Sequence, residues 1–135
     1  MGEERAASLS VLLQQHLRTA IRQAGGCLPF DRFMSMALYE PGLGYYANGS
    51  LKFGPMPGSG SDFVTAPERS PLFGRMLAVQ VAQALQACGS TQIWEFGAGS
   101  GALATQLLTA LGDRVTGYHI VDLSAPLRAR QADAL

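Results

Sequence analysis

The chain has 135 residues, and its ten basic and ten acidic side chains cancel, so no net field points to nucleic acid or to an anionic membrane surface. That length suits one core burying about two-thirds of the unfolded surface. No apolar run approaches the roughly 20 residues of a membrane span, and the acidic start Met1-Gly2-Glu3-Glu4-Arg5 lacks the apolar segment of a secretory signal and the basic character of a mitochondrial presequence.

Cys27 and Cys88 form no disulfide framework and no metal-ligand spacing, and are expected as reduced, partly buried thiols in a cytoplasmic protein. Along the chain, Ser8 can cap a helix to Ala24, ended by Gly25-Gly26. Leu9, Leu13, Leu17, Ala20 and Ala24 line one face of it, with Ile21 beside them. A second helix is predicted from Asp31 to Tyr39, stopped by Glu40-Pro41-Gly42. His16 is expected in solvent. Residues 41–60 contain six glycines and three prolines, which exclude a long regular element. Within them Gly44-Tyr45-Tyr46 is expected as a short extended piece, the two tyrosines filling a core edge. Ser70-Pro71 then starts a helix whose apolar stripe reads Phe73, Leu77, Val81, Ala84 and Cys88, closed by Gly89.

A strand over 91–96 is followed by the turn Gly97-Ala98-Gly99-Ser100-Gly101 and a helix over 101–111. After a break at Gly112-Asp113, a second strand over 115–121 ends at Asp122, and Ser124 begins a last helix. His119, between Tyr118 and Ile120 in that strand, is expected as a structural histidine. Strand, glycine turn and helix in this order are the arrangement of a nucleotide-cofactor loop, where a missing Cβ lets backbone approach a ligand. Gly97-x-Gly99-x-Gly101 is a GxGxG spacing, and Ala102 also permits the GxGxxA form of a dinucleotide site. Asp122, about 20 residues on at the next strand end, can accept both hydroxyls of an adenosine ribose. Glu95, just before the first glycine, would repel a pyrophosphate but suits the sulfonium and ammonium of S-adenosylmethionine (SAM). The residues thus favour SAM and leave NAD or FAD as the alternative.

Two upstream blocks bring a family into view. Residues 33–46, FMSMALYEPGLGYY, and 61–74, SDFVTAPERSPLFG, together with the stretches 95–108 and 118–131, resemble the MidA-like class I methyltransferases. The resemblance runs from about residue 25 to the last residue, with Ser61 where the family has glycine and Asp122 where it has glutamate. It implies an incomplete Rossmann-like α/β fold: the first two parallel strands and their helices in residues 63–135, after a helical and Gly/Pro-rich region in 1–62. It implies that Gly97, Gly99 and Gly101 lie under SAM, that Glu95 lies near the methionine end and Asp122 at the ribose, and that Thr65 and Glu68 line the same cleft. The family's eukaryotic members are mitochondrial complex I assembly factors that methylate a protein arginine, so a protein acceptor is expected. For that reaction no pair of carboxylates stands out as orienting the guanidinium; Glu40 and Glu68 lack supporting context. A full sheet of this class has seven strands, so the chain is expected to be the N-terminal portion of a larger enzyme, inactive alone. A non-catalytic partner-binding module, built on the first helix and the 41–60 segment, is the other reading.

Overall fold

The structure is a computed structural model that describes residues 2–50, 52–53, 62 and 64–135, with the side chains of 2–6 set aside. Ser61 and most of the segment after Ser50 lie outside the described residues. The chain divides into two compact units, Met1–Ser50 and Leu51–Leu135.

The first unit holds α1 (Gly2–Gln23) and α2 (Phe30–Tyr39). Helix α1 starts at Gly2, six residues ahead of the expected Ser8 cap. Leu9, Leu13, Leu17, Ala20 and Ile21 are its half-buried positions, as their spacing predicts, whereas Ala24 lies past the helix end and is exposed. His16 is half-exposed but not simply solvated, because its Nε2 lies 3.3 Å from Oε1 of Glu40. Gly44-Tyr45-Tyr46 is not extended. The chain curls back on α2, and Gly44, Tyr45 and Tyr46 donate their N–H groups to the carbonyls of Glu40, Ala37 and Leu38. These are the carbonyls a helix end leaves unpaired, and satisfying them outweighs the β preference of two tyrosines. The turn also explains Gly44, since a Cβ there would meet backbone atoms of Leu38, Tyr39 and Glu40 at 2.5–2.7 Å. The tyrosines do pack: Tyr46 stacks on Tyr39 and meets Tyr45 edge-on.

The second unit runs α3 (Ala66–Arg69), α4 (Pro71–Cys88), β1 (Gln92–Phe96), α5 (Ala102–Leu111), β2 (Gly117–Val121) and α6 (Ala125–Ala134), with one 3-10 turn at Gly112–Arg114. The two strands are parallel neighbours, Gln92 opposite Gly117 and Phe96 opposite Val121. Caps lie where the sequence puts them. Ser70 Oγ accepts from Leu72 N–H, Ser124 Oγ accepts from Leu127 N–H, and Gly89 ends α4 in the left-handed conformation. The short α3 was not expected.

The core is Ala78, Leu107 and Leu111, surrounded by Leu77, Val81, Ala82, Leu103, Ile93, Val115 and Tyr118. The buried side of α4 is therefore Gly74-Leu77-Ala78-Val81-Ala82, turned from the predicted stripe. Phe73 is 43% exposed, and Ala84 and Cys88 face outward. Small residues carry the contact because they let two helices approach closely. A Cβ on Gly74 would come within 2.4 Å of Gln106 on α5. Both thiols are exposed, which corrects the expected partial burial.

Candidate functional site

The glycine turn lies at the C-terminal end of β1, where ligands bind in parallel α/β sheets. Gly97 N–H donates to the Val121 carbonyl at 2.9 Å, tying the turn to the tip of β2. Gly99 has φ +57°, which L side chains rarely adopt, and the Phe53 ring lies against the position its Cβ would take. Gly101 serves packing. A Cβ there would touch the Gln131 backbone at 3.5 Å and Ala134 at 3.7 Å, so α6 closes the turn from behind.

A hollow of about 150 Å³ over the turn is lined by Phe53, Thr65, Pro67, Glu95, Gly97 and Gly99 among others. A second, of about 380 Å³, shares Pro67, Ser100 and Ala102 with it and adds Glu68, Thr105, Arg130 and Ala134. Together they reach the roughly 300–1,000 Å³ usual for cofactor sites. Thr65, Glu95, Gly97 and Gly99 thus share one hollow, and Glu68 lines its neighbour. Gly101 and Asp122 line neither. A larger groove of about 740 Å³ runs between the far ends of α4 and α5, past Ala82, Leu85, Leu111 and Arg114, away from the turn.

Each acid has its own setting. Glu95 Oε2 accepts the hydroxyl of Tyr118 at 2.6 Å. Burial holds the Tyr118 phenol well above its ordinary range, and its bond to Glu95 and the carboxylate charge act in the same direction. Asp122 receives Ser124 N–H on Oδ1 and the Gln131 amide on Oδ2, each at 2.9 Å. Glu68 has a side chain 7% exposed, with Oε1 3.9 Å from Arg130 Nη2. Its Oε2 is buried without a hydrogen-bond partner among the described residues. A buried carboxylate oxygen in that state favours a donor or cation arriving from outside. Position 68 is held from α5: the Gln106 amide donates to the Pro67 carbonyl at 2.6 Å and accepts from Gly74 N–H at 2.9 Å.

Sequence reasoning missed Phe53, Gln106, Arg130 and Gln131. Arg130 Nη1 donates to the Phe53 carbonyl at 3.1 Å, so α6 reaches the segment before the described gap. No local pattern marks these residues, because each acts across 32 to 77 positions of sequence. Among the described residues no cluster of three or more histidine, cysteine or acidic side chains could hold a metal, and no helix is long and apolar enough to cross a membrane.

A parallel βαβ unit, a glycine turn at the strand tip and an acid at the end of the next strand define a Rossmann-like α/β unit of the nucleotide-cofactor class. Residues 76–135 match the family described as "Putative S-adenosyl-L-methionine-dependent methyltransferase". The chain superimposes, with a TM-score of 0.87 and 54% identity over 97% of its length, on a Burkholderia thailandensis protein whose crystal structure holds S-adenosyl-homocysteine. A second crystal structure from that organism gives 0.78 and 49%. The mitochondrial protein arginine methyltransferase NDUFAF7 of Danio rerio is 32% identical over 96% of the chain, and that of Homo sapiens 30% over 97%. Over nearly its whole length the chain is thus similar to MidA-like class I methyltransferases. It spans about a third of these proteins: 35% and 32% of the two solved chains, 32% and 31% of the two curated relatives.

Proposed function

We propose that this chain supplies the cofactor-loop half of a SAM-dependent methyltransferase whose remaining strands are contributed by further polypeptide, and that the acceptor is a protein arginine. One observation carries the cofactor assignment. The hollow over the glycine turn is lined by Glu95 with no basic residue among its described lining, and Arg130 of the adjoining hollow faces Glu68. A pyrophosphate needs the reverse electrostatics, whereas a sulfonium beside an ammonium is attracted. The half-paired Glu68 next door adds a second acceptor.

When bound, SAM supplies an electrophilic methyl group for in-line displacement. The protein's part is to fix the donor and keep water out. Thr65, Glu95 and the backbone at Gly97 and Gly99 would hold the methionine side of the cofactor. Asp122 would receive the ribose. Proton removal from a guanidinium is assigned to no residue of this chain, because neither hollow presents a pair of carboxylates on one acceptor position. The arginine acceptor rests on what the mitochondrial relatives are said to methylate, and a respiratory complex I subunit as the partner rests on family resemblance alone.

Calorimetric titration of the full-length protein with S-adenosylhomocysteine tests the assignment. Saturable binding that NADH does not displace is the expected result. Displacement by NADH, or no binding at all, overturns it.

A further inference from the structure

We propose that Gln131 is a positioning residue of the cofactor site, tying the acid at the tip of β2 to the backbone of the glycine turn. The proposal rests on the SAM reading given above. Gln131 lies in the last turn of α6 with only 3% of its surface exposed, a place where an apolar residue would pack at lower cost. Burying an amide is unfavourable unless its donors are used. Here both are used: Nε2 donates to the Gly99 carbonyl at 3.0 Å and to Asp122 Oδ2 at 2.9 Å.

The consequence for Asp122 follows from counting lone pairs. Ser124 N–H occupies one site on Oδ1 and Gln131 one site on Oδ2. Each carboxylate oxygen keeps a further site, enough to accept one ribose hydroxyl apiece. The side chain is thus held from two sides before any ligand arrives. Because an amide is planar, its two donors stand at a fixed separation, so Gln131 also sets the spacing between Asp122 and Gly99. That spacing registers the ribose end of the site against the methionine end over the turn. The fit behind the turn, Gly101 against the Gln131 backbone and Ala134, keeps the amide in reach.

The test uses the full-length protein, titrated with S-adenosylhomocysteine and with its 2′,3′-dideoxy analogue, which presents no ribose hydroxyls. Gln131→Met, of similar shape but without donors, should weaken S-adenosylhomocysteine by at least about tenfold, the scale of a lost hydrogen bond to a charged group. It should weaken the dideoxy analogue by less than about threefold on the same basis. In an Asp122→Ala background the same substitution should no longer discriminate between the two ligands. Equal losses for both ligands, or no loss, overturn the positioning role while leaving the SAM assignment standing. Failure of the unsubstituted protein to bind S-adenosylhomocysteine overturns both. Should Gln131→Met not fold, the side-chain NH2 resonances of Gln131 in the unsubstituted protein decide: a shift with S-adenosylhomocysteine but not with the dideoxy analogue supports the role, and identical responses overturn it.

Discussion

The two faces of the β1–β2 pair differ sharply. On one, Ile93 and Tyr118 pack against the α4–α5 core, and Glu95 turns toward the glycine hollow. On the other, Trp94 is 61% exposed, Phe96 75% and Val121 40%. His119 stacks on Trp94 there, with ring centroids 4.5 Å apart. Parallel sheets are ordinarily covered on both sides. The apolar residues of this face are those of a buried strand, yet among the described residues they stay largely exposed. The packed face is built to fold and bind; the bare face is built to be covered.

That contrast can be broken most sharply by truncation. Leu107 is 3% exposed in the packed core, and Leu107→Ala should cost about 3 kcal/mol in chemical denaturation. Phe96→Ser should change the stability of the 135-residue chain by less than about 0.5 kcal/mol, as for an exposed site, but destabilise the full-length protein by about 3 kcal/mol. Equal costs in both proteins would mean that the bare face stays bare.

Next in size is Gly99→Val. Its φ of +57° strains any branched side chain, and the added side chain would lie against the Phe53 ring that lines the hollow. S-adenosylhomocysteine affinity should fall about a hundredfold, on the order of 2–3 kcal/mol, by calorimetry on the full-length protein. Unchanged affinity would remove the turn from the site.

Tyr118 offers a pH test of the packed face. Its phenol is held above the usual tyrosine range, so the folded state keeps the proton that the unfolded chain gives up near pH 10. The stabilisation is complete below that pH and fades as pH rises above it. Tyr118→Phe should cost about 1 kcal/mol at neutral pH, and should flatten the alkaline loss of stability measured by denaturant titrations from pH 8 to 11. The smallest effect concerns Trp94, the one tryptophan in the chain. Its fluorescence in the 135-residue chain should be quenched freely by acrylamide; a protected signal would show the bare face buried by self-association.

Much of this was legible in the sequence, because strand, turn and helix followed local chemistry: a β-type run before the turn, serine caps, glycine where φ is positive. Of the candidate site, residues in or beside the turn were legible, Glu95 and Gly99 among them, and these two line one hollow. What escaped had a common cause. The expected stripe on α4, Phe73, Leu77, Val81, Ala84 and Cys88, shares Leu77 and Val81 with the real contact, which turns onto Gly74 and Ala78, whose merit is smallness. The tyrosines after Gly44 were read by β propensity, whereas unpaired helix carbonyls decided their path. Gln106 and Gln131 look like surface glutamines in their helices, and only the fold shows their amides facing inward.

Gln106 of α5 reaches across to both α3 and α4. One planar group bridges the carbonyl of Pro67 and the N–H of Gly74, so it gauges the gap between two helices the way a shim sets the clearance of a bearing. A methyl group added at position 74 would jam against it. The fault would surface at Glu68, next to the Pro67 carbonyl that the shim holds, six residues and one helix away from the change.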